Sequence, residues 1–106
     1  MKITITVVCL IIGLKFIRAD ETRIVNYESG ELKSKTEYKN GVRDGFDVCW
    51  YKNGTMEYKI EYKDGQKNGK DMLWEENGSL SWEIDYKKGK KDGKKIYWVG
   101  KLKISE

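Results

Sequence analysis

Residues 51–74 read YKNGTMEYKIEYKDGQKNGKDMLW, and the fold turns on this stretch. Moved back so that Tyr51 falls on Tyr27, it lies on residues 27–50, YESGELKSKTEYKNGVRDGFDVCW. Moved forward by the same step it lies on residues 75–98, EENGSLSWEIDYKKGKKDGKKIYW, and neither step needs a gap. Six columns hold one residue type three times: Gly30/Gly54/Gly78, Tyr38/Tyr62/Tyr86, Lys39/Lys63/Lys87, Gly41/Gly65/Gly89, Gly45/Gly69/Gly93 and Trp50/Trp74/Trp98. A period of this size predicts a repeat array in which each unit buries its apolar surface against its neighbours.

Within a unit, period-2 alternation predicts strands with one wet face. Met56, Tyr58, Ile60 and Tyr62 alternate with Glu57, Lys59 and Glu61, and Leu80, Trp82, Ile84 and Tyr86 with Ser81, Glu83 and Asp85. The first unit repeats this more weakly with Leu32, Ser34, Thr36 and Tyr38. The second strand of each unit gives Phe46, Val48 and Trp50, then Met72 and Trp74, then Ile96 and Trp98. Opposed residues in a hairpin share a face. A three-residue loop of Lys52, Asn53 and Gly54 therefore pairs Trp50 with Met56, Val48 with Tyr58 and Phe46 with Ile60. It also puts glycine at the left-handed position of such loops. By the same parity Trp74 meets Leu80 and Met72 meets Trp82. The other connections, such as residues 63–69, are expected to be longer glycine-bounded loops. An entry strand is expected over residues 24–27 and a closing strand over residues 101–104. The expected fold is all-β: an elongated single-layer antiparallel meander of about eight strands built from three 24-residue repeats. Gly30, Gly54, Gly78, Gly41, Gly65, Gly89, Gly45, Gly69 and Gly93 are its expected turn glycines.

The N-terminus reads differently. Met1 and Lys2 precede an almost wholly apolar run over residues 3–14, and Ile17-Arg18-Ala19 offers a small residue before a cut. This is a signal-peptide layout over residues 1–19, leaving a repeat domain over residues 20–106. A retained anchor and a first β-strand are the competing readings of the same block. Cleavage after Ala19 removes Lys2, Lys15 and Arg18, so the net charge falls from +4 to +1. It also removes Cys9 and leaves Cys49 alone, so Cys49 is read as a small apolar residue, with a disulfide-linked dimer as the alternative. An exported chain belongs in the envelope or outside the cell.

Signals for chemistry are sparse. The chain has no His, which removes the usual general base and the commonest metal ligand. Cys49 has no His partner for thiolate catalysis. Asp44, Asp64 and Asp92 lack calcium-loop spacing and read as turn residues. The glycine-rich loops lack the helix that a phosphate cradle needs. No enzyme, cofactor or metal site is expected. Lys87, Lys88, Lys90, Lys91, Lys94 and Lys95 cluster around Tyr86, Tyr97 and Trp98. Such a cluster suits an acidic surface or single-stranded nucleic acid. The small net charge of the processed chain favours a solvated, aggregation-resistant edge instead.

The pattern Tyr-x-x-Gly-x-x-x-Gly, followed by Trp and then Asn-Gly, resembles the MORN repeat in its bacterial variant form. The match covers residues 27–100 and is most similar to the YwqK-type antitoxin family of toxin–antitoxin systems. That resemblance implies a long single-layer β-meander and a role in binding. Trp50, Tyr58, Tyr62, Trp74, Trp82 and Tyr86 are the candidate partner-binding residues. Parity puts them on one face, and Tyr and Trp carry much of the binding energy at interfaces. The leading expectation is an exported, non-catalytic module that binds a protein. An antitoxin or immunity protein is the alternative, and a self-associating envelope protein the third reading.

Overall fold

A computed structural model describes residues 2–7, 10–12, 15–17, 20–99 and 101–105. Among these residues eleven strands run in order: β1 (Lys2–Val7), β2 (Leu10–Ile12), β3 (Lys15–Ile17), β4 (Glu21–Asn26), β5 (Leu32–Lys39), β6 (Val42–Trp50), β7 (Met56–Lys63), β8 (Gln66–Trp74), β9 (Leu80–Lys87), β10 (Lys90–Val99) and β11 (Leu102–Ser105). There is no helix among the described residues. Nine strands form one open antiparallel sheet in the order β1-β4-β5-β6-β7-β8-β9-β10-β11, and β2 pairs with β3 alone. The molecule measures 59 × 37 × 11 Å, the thickness of one sheet with its side chains. The block read as an export signal thus supplies β1 to β3, while Arg18 and Ala19 of the expected cut lie outside the described residues.

Two kinds of turn alternate along the meander. At one end of the sheet, Gly54 N–H donates to Tyr51 C=O at 3.0 Å and Tyr51 N–H to Thr55 C=O at 2.8 Å. Lys52, Asn53 and Gly54 are the loop, with Gly54 at φ +89°. The same bonds recur one repeat away on either side, at Tyr27/Gly30/Glu31 and Glu75/Gly78/Ser79. This is the expected three-residue loop, and it pairs Trp50 with Met56 and Trp74 with Leu80.

The next rung departs from expectation. Cys49, not Val48, opposes Tyr58, and Leu73, not Met72, opposes Trp82. One extra residue bulges from the strand just past each loop: Lys33, Glu57 and Ser81. A single-residue bulge moves every later side chain to the other face, so the parity expected from the loop fails one step beyond it.

The other end of the sheet holds two-residue turns rather than long loops. Lys39 pairs with Val42, Lys63 with Gln66 and Lys90 with Lys87. The central residues Asn40-Gly41, Asp64-Gly65 and Lys88-Gly89 all have positive φ, near +50° then +82°. That is the primed turn whose twist matches antiparallel strands. Just beyond, β6, β8 and β10 each carry a second, wider bulge around Gly45, Gly69 and Gly93. The bulges of β6 and β8 each accept the following primed turn. Gly65 N–H donates to Arg43 C=O at 2.7 Å and Asp64 N–H to Asp44 Oδ2 at 3.1 Å. Gly89 N–H and Lys88 N–H repeat this on Lys67 C=O and Asn68 Oδ1. At the loop end, the Tyr27 and Tyr51 hydroxyls donate to the carbonyls of Trp50 and Trp74, both at 2.7 Å. Neighbouring hairpins are therefore stitched at both ends as well as along their strands.

Among the described residues the sheet has no conventional core. Val48, Cys49 and Ile84 are the buried apolar residues among those described, and no described side chain is fully enclosed. Asp47 and Asp71 are buried more deeply, each with 6% of its surface exposed.

Candidate protein-binding face

Register and alternation assign side chains to two faces, here called front and back. Across the front run three rows. Ser34, Cys49, Tyr58, Leu73, Trp82 and Tyr97 form the first. Thr36, Asp47, Ile60, Asp71, Ile84 and Lys95 form the second. The third holds Tyr38, Tyr62 and Tyr86, opposed by Arg43, Lys67 and Lys91. The back face mixes Val48, Phe46, Trp50, Met56, Met72 and Trp74 with Lys35, Lys59, Glu61, Glu83 and Lys70.

Of the six candidate binding residues, Tyr58, Tyr62, Trp82 and Tyr86 share the front face. Trp50 and Trp74 lie on the back, a correction to the sequence reading that follows from the bulges at Glu57 and Ser81. Glu57, expected on a charged back face, sits on the front, where Cys49 Sγ–H donates to its Oε1 at 3.8 Å. The clean split into an aromatic and a charged face does not hold.

Two buried carboxylates organise the front face, and the sequence reading missed both. Asp47 Oδ1 accepts from Thr36 Oγ1 at 3.0 Å and from the Tyr58 hydroxyl at 3.5 Å, while Oδ2 lies 3.5 Å from Arg43 Nε. Asp71, in the same column of the next repeat, accepts from Lys67 Nζ at 2.8 Å and Trp82 Nε1 at 3.4 Å. A buried carboxylate is tolerated when it is paired and hydrogen-bonded, as these are. The same cations lie over tyrosine rings: Arg43 is 5.3 Å from the centre of Tyr62, and Lys67 is 4.8 Å from that of Tyr86. Arg23 covers Tyr38 in the same way, at 4.3 Å. The two clusters thus each hold a cation, a carboxylate and two aromatic rings in fixed relation. The signal was present as Arg43-x-x-x-Asp47 repeated at Lys67-x-x-x-Asp71, a spacing that makes sense only once the wide bulge is known.

The electrostatics follow from this packing. Burial, and then the Asp47 charge, push the Tyr58 phenol up to about 12. Burial pulls the Lys67 ammonium down, but the Asp71 hydrogen bond and charge outweigh it and the net shift is upward. Burial and Glu57 raise the Cys49 thiol, which favours its protonated form. No group of three or more His, Cys, Asp or Glu is arranged to hold a metal ion among the described residues.

The third unit breaks the pattern. Lys95 stands in the Asp47/Asp71 column, and Glu75 stands where Tyr27 and Tyr51 stitch the earlier hairpins. Lys70 on the back face bonds Glu83 at 3.1 Å and Asp85 at 3.2 Å, which raises its ammonium. Lys87, Lys88, Lys90 and Lys91 line an open groove with Gln66 and Asp92 and form no ion pair among the described residues. Positive charge therefore gathers at the β9–β10 turn. No protein-family model, no curated protein and no solved structure matches the chain.

Proposed function

We propose that the protein is an exported, non-catalytic repeat module that binds another protein through the front face of its sheet. The observation that supports this reading is an aromatic face with no layer over it among the described residues. In a sheet 11 Å thick, Tyr58, Tyr62, Trp82 and Tyr86 stay half-buried although their positions are fixed by Asp47, Asp71, Arg43 and Lys67. Rigid, amphipathic rings held in place by neighbours lose little entropy on binding, which is what an interface hot spot needs. The resemblance of residues 27–100 to bacterial MORN-type repeats points the same way. The apolar block before Ala19 supports export to the envelope or beyond.

The test is capture of a partner by tagged exported protein. Tyr62→Ala and Trp82→Ala are expected to weaken capture at least tenfold, about 1.4 kcal/mol or more. Glu83→Ala, on the back face, is expected to leave it unchanged, since exposed ion pairs contribute only about 0–1 kcal/mol. Circular dichroism of each variant separates lost binding from lost folding. Full capture by a folded Trp82→Ala protein would refute the reading.

A further inference from the structure

We infer that copies of the processed protein join head to tail, with β11 of one copy pairing to the β4 edge of the next, and that β1 holds this edge until residues 1–19 are removed. The inference rests on the export reading for its trigger.

The two ends of the sheet are compatible in direction. Every neighbouring pair from β4 to β11 is antiparallel, so β4 and β11, seven steps apart, run in opposite directions. A second copy placed beside the first by translation therefore continues the same antiparallel sheet. Such a contact is heterologous and does not close, so it yields chains of copies rather than dimers.

The β4 edge already accepts a strand of the required kind. β1 pairs along it over six residues, with Lys2 against Asn26, Ile3 against Val25, Thr4 against Ile24, Ile5 against Arg23 and Thr6 against Thr22. β1 runs in the direction that β11 of a neighbour would take. Its sequence, Lys2-Ile3-Thr4-Ile5-Thr6, has the same plan as Lys101-Leu102-Lys103-Ile104-Ser105. Overlaying the two puts Leu102 against Val25 and Ile104 against Arg23. By register all four of these residues belong to the front face, so the faces of adjoining copies stay aligned. Among the described residues nothing pairs with the outer side of β11, where Leu102 is 64% and Ile104 39% exposed. A bare strand edge with exposed aliphatics is a template for another strand.

Charge favours the same contact. Residues 20–86 carry fifteen acids against ten bases, and residues 87–106 carry two acids against eight bases. In a linear meander, position in the chain is position along the sheet, so the processed molecule is basic at the β10–β11 end, while residues 20–39 at the β4 end carry five acids against four bases. Head-to-tail contact sets the basic end against a nearly neutral one, whereas contact of two β11 edges brings two basic ends together.

The experiment places a site-specific protease sequence between Ala19 and Asp20 of the full chain, with Cys9→Ser and Cys49→Ser as background, and cuts the purified protein. Sedimentation velocity is expected to give a monomer before the cut and a ladder of larger species after it. The pair Val25→Cys with Leu102→Cys should crosslink copies only after the cut, because opposed residues across an antiparallel rung are at disulfide distance. Ile24→Cys with Leu102→Cys, on opposite faces, should not crosslink. Ile104→Lys should raise the protein concentration needed for assembly about tenfold without changing the circular dichroism. A cut protein that stays monomeric, loses its sheet, forms a closed dimer untouched by Ile104→Lys, or crosslinks equally before cutting overturns the inference. Intact mass of protein recovered from the exporting host tests the export reading separately.

Discussion

At the residue scale, the stability of this sheet is concentrated in a few polar contacts that recur from one repeat to the next. Asp47 and Asp71 do the positioning that a hydrophobic core does elsewhere, and the groups around them feel it. Tyr58 shows the consequence for pH. Its phenol is raised by burial and by Asp47, so the neutral form is favoured in the folded state. The stabilisation that this gives is fully present below the unfolded value near 10 and is lost as pH rises toward about 12. Tyr58→Phe keeps the ring but cannot ionise, and the hydroxyl bond it removes is a long one, 3.5 Å. Its melting temperature is expected to fall less than that of the unaltered chain between about pH 9 and about pH 11.5. Parallel alkaline melts check this; an equal fall would mean that Tyr58 titrates normally. The wide-bulge glycines give a second comparison. A Cβ on Gly69, at φ +121°, runs into the Glu61 side chain, whereas a Cβ on Gly93, at φ +84°, only touches Asp85 at 4.0 Å. Both alanine variants carry the left-handed backbone strain of about 1–2 kcal/mol. Gly69→Ala must also displace the carboxylate, so it is expected to cost about 1 kcal/mol more than Gly93→Ala in denaturant titrations.

At the element scale, hairpins are set by turn chemistry, and Lys88 is the residue that fits its turn least well. Asn40, Asp64 and Lys88 occupy the first central position of the three primed turns, all at φ near +50°. Asn and Asp tolerate that region, while Lys adopts it at a cost. Lys88→Asn retains the backbone N–H that bonds Asn68 Oδ1, so it is expected to stabilise the chain by about 0.5–1 kcal/mol. Chemical denaturation measures it, and a destabilised variant would show that the Lys88 side chain contributes something the turn geometry does not reveal. These turns also mark the limit of what the sequence makes legible. The strands, the single sheet and the three-residue loop at Gly54 follow from alternation and glycine position. The two-residue turns do not, because Gly65 is followed so soon by Gly69 that the segment between them looks like loop; the pairing of Gln66 with Lys63 and of Lys67 with Tyr62 makes it strand. The bulges at Lys33, Glu57 and Ser81 leave no compositional mark either, and each inverts the facing of all that follows. That is why parity groups four of the six aromatic candidates correctly and misplaces Trp50 and Trp74.

For the whole molecule, the single nine-stranded sheet dictates how stability is distributed. Each strand of the sheet pairs only with the strands beside it, so the free energy is close to a sum of nearest-neighbour terms along one axis. Strands in the middle are held from both sides, and terminal strands from one. The middle also holds the two carboxylate clusters on Asp47 and Asp71, both hydroxyl stitches to Trp50 and Trp74, and the buried residues Val48, Cys49 and Ile84. At the C-terminal end β11 is exposed along its whole length, Lys95 replaces the carboxylate, and the tyrosine stitch is missing. Opening from that end therefore breaks the fewest contacts. Native-state hydrogen exchange is expected to show a gradient, with amides of β6 to β8 protected to nearly the global unfolding free energy and those of β10 and β11 opening first. Removing the central carboxylate with Asp71→Asn, which leaves Lys67 and Trp82 with a weaker acceptor, should cost about 1–3 kcal/mol. That loss should lower protection in β7 to β9 and leave β4 and β5 nearly unchanged, because in a one-layer array the effect decays with distance from the substituted strand. Uniform protection from β4 to β11, or an equal loss at every strand in the Asp71→Asn protein, would instead mean that the sheet opens as one cooperative unit.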